Sequence, residues 1–180
     1  MDIDILSIIF LQQFRNPIYD AFAVLFDLLF SYPIVLGVLL AFYLAYKKRN
    51  TFITLLASFS TFVLTYIIKE IVARPRPGLE LSGSLNFGPE STSFPSAHTA
   101  IIFTLAIMLS RYYPKYRYVF YTLAVLVSIS RIYAGNHYFT DVLAGAILGI
   151  SVALLFLFKE QQVFNLEAKI HKHLKSTFKL

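Results

Sequence analysis

Apolar residues fall along this chain in long runs separated by short polar breaks. Runs long enough to cross about 30 Å of hydrocarbon cover Tyr32 to Tyr46, Thr51 to Ala73, Ser96 to Tyr113, Tyr118 to Tyr133 and Tyr138 to Phe158. A sixth candidate, Ile18 to Phe30, is shorter, lies between Pro17 and Pro33 and carries Asp20 and Asp27, so it crosses at a tilt or only dips in. Residues 1–15 read as an interfacial helix. Residues 159–180 place Leu166, Ile170, Leu174 and Phe178 four apart, with Lys169, Lys172, Lys175 and Lys179 elsewhere on the wheel. That is the pattern of a basic amphipathic helix on a cytoplasmic membrane surface, or of a partly frayed basic tail. The pattern predicts an all-α, polytopic transmembrane bundle of about six spans, forming one membrane-embedded domain over residues 1–180.

Composition agrees. The chain is 57% hydrophobic and 14% charged, against roughly 25% charged in a soluble domain, and its mean hydropathy is +0.65. Six spans use about 120 positions, so no separate soluble domain fits. The absence of cysteine excludes disulfides, thiolate metal sites and cysteine nucleophiles. The start, Met1-Asp2-Ile3-Asp4, lacks the positive region of a cleaved signal peptide.

Charge placement orients the bundle, because short cytoplasmic loops collect Lys and Arg. Lys47, Lys48 and Arg49 mark one loop, Arg111, Lys115 and Arg117 the next but one, and five lysines follow the last span. With Arg15, and with the N-terminus also inside, twelve of the sixteen cations are cytoplasmic. The net charge of +6 therefore suits anionic lipid headgroups of a bilayer and gives no reason to invoke nucleic acid.

The four remaining cations, Lys69, Arg74, Arg76 and Arg131, lie at the outer helix ends, where an ionisable side chain is costly and usually functional. Lys69 and Arg76 flank the end of the second long run, and Pro75 and Pro77 stop that helix; snorkelling to the interface explains them equally well. Pro95, Ser96, Ala97 and His98 open the next helix, with Thr92 and Ser93 upstream as candidate caps. A helix start offers free N–H groups to an anion, although Pro before a helix is also ordinary start chemistry. The last element is Ser130-Arg131 followed by His137 and Asp141. Four apart on a helix, these two share a face, so the carboxylate holds one imidazole nitrogen and leaves the other as nucleophile or base. The stripe continues through Gly145, Gly149 and Ala153, which suggests a bundle-facing side, though a Gly-xxx-Gly pair also fits a homodimer face.

All three elements project to one membrane face. They read as Lys69, six residues, Arg76-Pro77; Pro95-Ser96-Ala97-His98; and Ser130-Arg131, five residues, His137, three residues, Asp141, with spacers of 17 and 31 residues. In this the chain closely resembles the type 2 phosphatidic acid phosphatase superfamily, whose signature is Lys-x6-Arg-Pro, Pro-Ser-Gly-His and Ser-Arg-x5-His-x3-Asp. Ala97 stands where the family usually has Gly, and its methyl is expected to narrow the space beside the phosphate.

The resemblance implies a metal-independent lipid phosphatase without a cofactor. His137 attacks phosphorus and forms a phosphohistidine, Asp141 orients it, His98 protonates the leaving oxygen, and Lys69, Arg76, Ser96, Ala97 and Arg131 form the phosphate site. Phosphoryl transfer needs charge stabilisation and in-line positioning above all, which a basic cluster and a helix start supply. Arg74 matches no signature position and reads as an interface anchor. The segment from Arg74 to Pro95, with Gly78, Gly83 and Gly88 among leucines, reads as a headgroup-layer loop or an ordinary exposed one.

The substrates implied by the resemblance are undecaprenyl diphosphate, phosphatidylglycerophosphate, phosphatidic acid and the 1-phosphate of lipid A, at the extracytoplasmic face of the inner membrane. A lipid-to-lipid phosphotransferase uses the same site. An anion transporter uses the basic cluster but gives the His137/Asp141 pair no task.

Overall fold

The computed structural model describes residues 2–77 and 92–178, with side chains as far as Lys169. The expected loop with Gly78, Gly83 and Gly88, and the side chains of Ile170, Leu174 and Phe178, lie outside the described residues. The described chain is helical: α1 Ile3–Gln12, α2 Pro17–Leu29, α3 Tyr32–Tyr46, α4 Arg49–Val72, α5 Ala97–Tyr112, α6 Arg117–Tyr133, α7 Phe139–Phe158 and α8 Glu160–Phe178, with a 3-10 turn at Pro114–Tyr116 before α6. The five long apolar runs become α3 to α7 with ends within about two residues of those expected.

Local chemistry sets the boundaries. Asp2 caps α1 by accepting from Asp4 N. Asn16 accepts from the Ile18 and Tyr19 N–H groups, with Pro17 at the first helical position of α2. At the end of α4, Ala73 adopts the left-handed region at φ 47°, the usual way to stop a helix, and the Arg74-Pro75 step turns the chain away.

Helix α5 lies at the centre, touching α3, α4, α6 and α7. Its approach to α7 is backbone to backbone. A Cβ on Gly145 would stand 2.6 Å from the Ser96 carbonyl oxygen, and one on Gly149 would overlap the Ala100 carbonyl. Hydroxyls bind the same three helices: Thr61 Oγ1 and Thr104 Oγ1 lie 2.9 Å apart, and Thr104 Oγ1 is 3.2 Å from the Gly149 carbonyl. Small residues and hydroxyl contacts of this kind hold helices together where lipid offers no hydrophobic drive. The glycine stripe therefore faces the bundle interior, and Ala153 is fully buried with Ile53 and Met108.

The outward faces carry Phe42, Leu64, Ile67, Val125, Leu143 and Ile147, all exposed, the opposite of a water-facing surface. By length and composition α4 and α7 suffice to cross a membrane alone, and α2 with α3 forms a third candidate bent by 52°. The six-span count is not reproduced by that criterion. Helices α3 to α7 run between two ends of the bundle. One end holds Lys69, Ala97, Tyr133 and Phe139; the other holds the Lys47, Arg111 and Lys159 regions.

Helix α2 does not run end to end. Tyr133 Oη donates to Asp20 Oδ1 at 2.7 Å, and Arg131 Nη1 donates to Asp27. Two residues of α2, seven apart, thus meet two α6 positions only about 3 Å apart along that helix, both at the Lys69 end.

The two ends of the chain are both docked on the bundle. In helix α1, Ile8 is fully buried against Ile132 and Val142, and Asp4 accepts from Thr140 N at 2.9 Å at the start of α7. The N-terminus and Arg15, which pairs with Asp20 at 3.2 Å, therefore belong to the end opposite the basic loops. Arg15 is thus taken from the basic-loop end, and the charge asymmetry survives, because Lys47, Lys48, Arg49, Arg111, Lys115, Arg117 and Lys159 stay there. The tail also differs from a frayed segment. Helix α8 continues to Phe178 and docks through Glu167, which accepts from Tyr43 Oη at 3.1 Å and Arg49 Nε at 3.2 Å.

The α5–α7 approach gives a direct test. Gly149→Ala is expected to lower stability by about 1–3 kcal/mol through overpacking. Gly37→Ala, which meets nothing within 4 Å, should be neutral or stabilising by about 0.5–1 kcal/mol. Thermal unfolding of both variants in one detergent checks the ordering, and equal melting temperatures would contradict the close contact.

Candidate active site

The site forms where the end of α4, the start of α5 and the α6–α7 turn meet. Helix α4 delivers Lys69 four residues before its C-cap, and the Pro75–Pro77 exit delivers Arg76. A two-residue bridge pairs Pro75 with Thr92, and Ser93 N donates to the Arg74 carbonyl at 2.7 Å, so the returning chain is pinned beside the departing one. Thr92 and Ser93 are not the caps of α5, as expected from sequence: Ser96 holds the N-cap position and makes no side-chain cap bond. The Ser93 hydroxyl instead donates to the Pro75 carbonyl at 3.0 Å. Ser96 N donates to the Asp141 carbonyl at 2.9 Å, which ties the start of α5 to the first turn of α7.

His137 is buried in the turn before α7, not on the helix itself, so the shared-face argument gives the correct neighbour by a different route. Its Nδ1 lies 2.8 Å from the Ser93 carbonyl and 3.7 Å from Asp141 Oδ2. A carbonyl only accepts, so Nδ1 carries the proton and Nε2 presents its lone pair. Burial is the largest influence on the imidazole; Asp141 favours its charged form, Arg76 and Lys69 oppose it, and the result is a pKa pushed down to about 4. The imidazole is therefore neutral at ordinary pH, as a nucleophile must be.

Asp141, with no exposed surface, uses both oxygens. Oδ2 accepts from Tyr138 N at 2.9 Å and Oδ1 from Arg74 Nη1 at 2.7 Å. Arg74 is thus not the interface anchor expected from sequence; it is a partner of Asp141, with Nη2 on Asp4 Oδ2 at 2.8 Å.

His98 and Arg131 meet through α2. His98 Nε2 donates to the Asp27 carbonyl at 3.1 Å and lies 3.5 Å from Asp27 Oδ1, the oxygen that also accepts from Arg131 Nη1. Arg131 Nη2 donates to the Ala23 carbonyl at 3.1 Å. Lys69, almost wholly buried, sends Nζ to the Thr92 carbonyl at 2.8 Å. Arg76 lies near enough to act electrostatically on both His137 and Arg131. Burying such cations costs several kcal/mol each unless partners compensate, and these carbonyls and Asp27 do so. The Ala97 methyl, expected to narrow the phosphate space, packs in the apolar cluster with Tyr32, Val35 and Ile101.

The structure thus gathers Lys69, Arg76, Ser96, Ala97, His98, Arg131, His137 and Asp141 at one end of the bundle. Among the described residues no three His, Asp or Glu side chains form a metal-binding group. Sequence reasoning missed Asp27, Asp4, Arg74 and the Ser93 carbonyl. Asp27 did carry a signal, as a carboxylate in an apolar segment. Asp4 carried none, since an acid in a first turn reads as ordinary dipole complement.

Comparison with known proteins identifies the family. Bacitracin transport permease protein BcrC of Bacillus licheniformis is 31% identical over 143 residues, 71% of this chain and 64% of that protein. The undecaprenyl-diphosphatase of Sulfolobus acidocaldarius is 37% identical over 113 residues, 61% of this chain and 55% of its own. The chain thus spans less than two thirds of the length of these relatives. The crystal structure of Aquifex aeolicus LpxE superposes with a TM-score of 0.77 at 29% identity, covering 87% of this chain and 96% of that one. The family model of the PAP2 superfamily matches residues 50–163, a stretch that holds every signature residue from Lys69 to Asp141, and the chain belongs to that superfamily.

Proposed function

We propose that this protein is a membrane-embedded, metal-independent lipid phosphatase that works through a phosphohistidine at His137. The observation that carries the reading is the buried imidazole whose tautomer the Ser93 carbonyl fixes, beside Asp141 and facing a cluster of cations. Nε2 attacks phosphorus in line with the leaving oxygen. Asp141 stabilises the imidazolium that forms at Nδ1–H. Lys69, Arg76, Arg131, Ser96 and the first N–H groups of α5 hold the phosphoryl oxygens, whose charge spreads in the transition state. His98, on the other side of the cluster, enters the step as the imidazolium that a bound phosphate anion favours over its free-state pKa of about 4, gives its proton to the leaving oxygen, and takes one back from the water that releases phosphate from His137.

An apolar groove between α1, α2 and α6, lined by Leu11, Phe22, Phe26, Leu126 and Ile129, has a volume of about 310 Å³ and also takes in Ala23 and Ser130, the residues that hold Arg131. It fits the hydrocarbon chain of the substrate and supports a lipid phosphate over a soluble one. Relatives named for undecaprenyl diphosphate and lipid A 1-phosphate and for phosphatidylglycerophosphate define, with phosphatidic acid, the panel to test. Transfer of the phosphoryl group to an acceptor lipid uses the same intermediate and differs only in what replaces water. The basic cluster raises an anion carrier as a second reading, but anion passage gives a buried, tautomer-fixed His137 no task.

The membrane reading takes α3 to α7 as five crossings, of which α4 and α7 are long and apolar enough to cross alone, with α1 and α2 at the site end and α8 at the other. The basic loops at the α8 end, taken with the positive-inside rule, support a site on the extracytoplasmic face of the cytoplasmic membrane.

Purified protein is expected to release inorganic phosphate from at least one lipid of the panel, with and without EDTA, and to be inhibited by vanadate, a mimic of the transferring phosphoryl group. His137→Ala should abolish release. Loss of activity on chelation, restored by magnesium, would contradict the cation-only site, and flux of anion without phosphate release would favour a carrier.

Topology is tested separately in this cysteine-free chain. Asp2→Cys and Asn50→Cys should respond oppositely to an impermeant thiol reagent on intact cells, with Asp2→Cys labelled. Labelling of Asn50→Cys alone would place the site in the cytoplasm.

A further inference from the structure

Asp141 is held by a charged network reaching the first turn of the chain. Arg74 divides its guanidinium between two carboxylates: Nη1 on Asp141 Oδ1 at 2.7 Å, Nη2 on Asp4 Oδ2 at 2.8 Å. Thr140, next to Asp141, donates its N–H to Asp4 Oδ1 at 2.9 Å and its hydroxyl to Asp4 Oδ2 at 2.7 Å. The Tyr138 ring lies against the guanidinium, 3.9 Å from ring centre to Cζ. Burial pushes the Asp4 carboxyl up, but Arg74 and the two Thr140 donors outweigh it and hold the group below the ordinary carboxylate value. Asp4 is therefore an anion among fixed donors.

We propose that Asp4 and Arg74 are positioning residues for the nucleophile: helix α1 supplies a second carboxylate that fixes the Arg74 guanidinium, and Arg74 fixes Asp141 beside His137. The inference rests on the proposed role of His137. Arg74 reaches that imidazole by two routes, through its side chain to Asp141 and through its carbonyl, which accepts from Ser93 N at 2.7 Å while the Ser93 carbonyl holds His137 Nδ1.

Charge explains why two carboxylates are used. Arg74 alone against Asp141 would neutralise the group that must meet the imidazolium. With Asp4 added, the cluster of two carboxylates and one guanidinium keeps one net negative charge, matched to the one positive charge that develops on His137. The other charged groups bearing on His137 are Lys69 and Arg76, with His98 across the site; the cations among them favour the phosphate and cannot take this part. A lysine at 74 keeps the charge but not the fork.

The test uses kcat and KM on p-nitrophenyl phosphate for the full chain, Asp4→Asn, Arg74→Lys, their double variant and His137→Ala. Asp4→Asn is expected to lower kcat roughly 10- to 100-fold, the size of effect when a group orienting a reacting side chain is lost, with KM within about threefold. Arg74→Lys should lose at least as much, and the double variant no more than Arg74→Lys, because Asp4 acts through Arg74. Ile8→Ala, which loosens α1 without touching the charges, should lower the melting temperature and leave kcat unchanged.

Wild-type kcat in Asp4→Asn, or losses that multiply in the double variant, would overturn the inference and leave Asp4 as a docking contact. If Asp4→Asn does not fold, wild-type kcat in Arg74→Lys overturns it equally. Turnover retained in His137→Ala sinks the nucleophile assignment itself, whereas an inactive His137→Ala beside a fully active Asp4→Asn sinks only the role of Asp4.

Discussion

The backbone contact between α5 and α7 is the constraint on which the site depends. His98 rides on α5, and Asp141 lies in the first turn of α7 just after His137. No loop of useful length joins these elements, so their spacing is set by how closely the two helices approach. Gly145 and Gly149 let the α7 backbone reach the Ser96 and Ala100 carbonyls, and the bond from Ser96 N to the Asp141 carbonyl locks the two N-terminal ends in register. A methyl group at either glycine displaces the start of α5, and with it the N–H groups proposed to face phosphate, from His137. In lipid, where apolar surface gains nothing by leaving its surroundings, such shape and hydrogen-bond contacts carry the association.

On that frame the site is an exercise in charge placement. Lys69 and Arg131 are buried cations, and each has been given an acceptor that is part of the fold: the Thr92 carbonyl for one, Asp27 and the Ala23 carbonyl for the other. Their positive potential is thereby held in place before any phosphate arrives, so little reorganisation is needed when charge develops. The same potential, with burial, keeps His137 neutral. Asp141 works against that tendency only as far as its own partners allow, and those partners are Tyr138 N and Arg74. Helices α1 and α2, at the site end, contribute the two carboxylates that stabilise the arrangement from outside the signature residues.

Much of this was legible in the sequence. The five long apolar runs became α3 to α7 because, in lipid, a backbone must satisfy its own hydrogen bonds, and a run of that length has only the helix available. The signature positions came together because the outward cations broke an orientation rule fixed by other residues. What escaped has a common physical cause. Asp4 and Arg74 are seventy residues apart, Asp27 and Arg131 more than a hundred, and such pairs leave no periodic trace in one chain. The N-terminus lies at the end opposite to that expected because α2, with two carboxylates and a proline at each flank, has the composition of a marginal span. Its real course is set by Asp20 and Asp27 seeking Tyr133 and Arg131, which hydropathy does not register. His137 and Asp141 were paired on a helical spacing that does not apply to His137, yet the turn before α7 brings them to 3.7 Å all the same.

The central claim is that a neutral, tautomer-fixed His137 takes the phosphoryl group. The most direct measurement is rapid-quench trapping with a radiolabelled lipid phosphate, followed by peptide mapping. The account expects an acid-labile, base-stable label on His137 that forms within one turnover and disappears as phosphate is released. Steady turnover with no label on the protein, or with label on another residue, would contradict it.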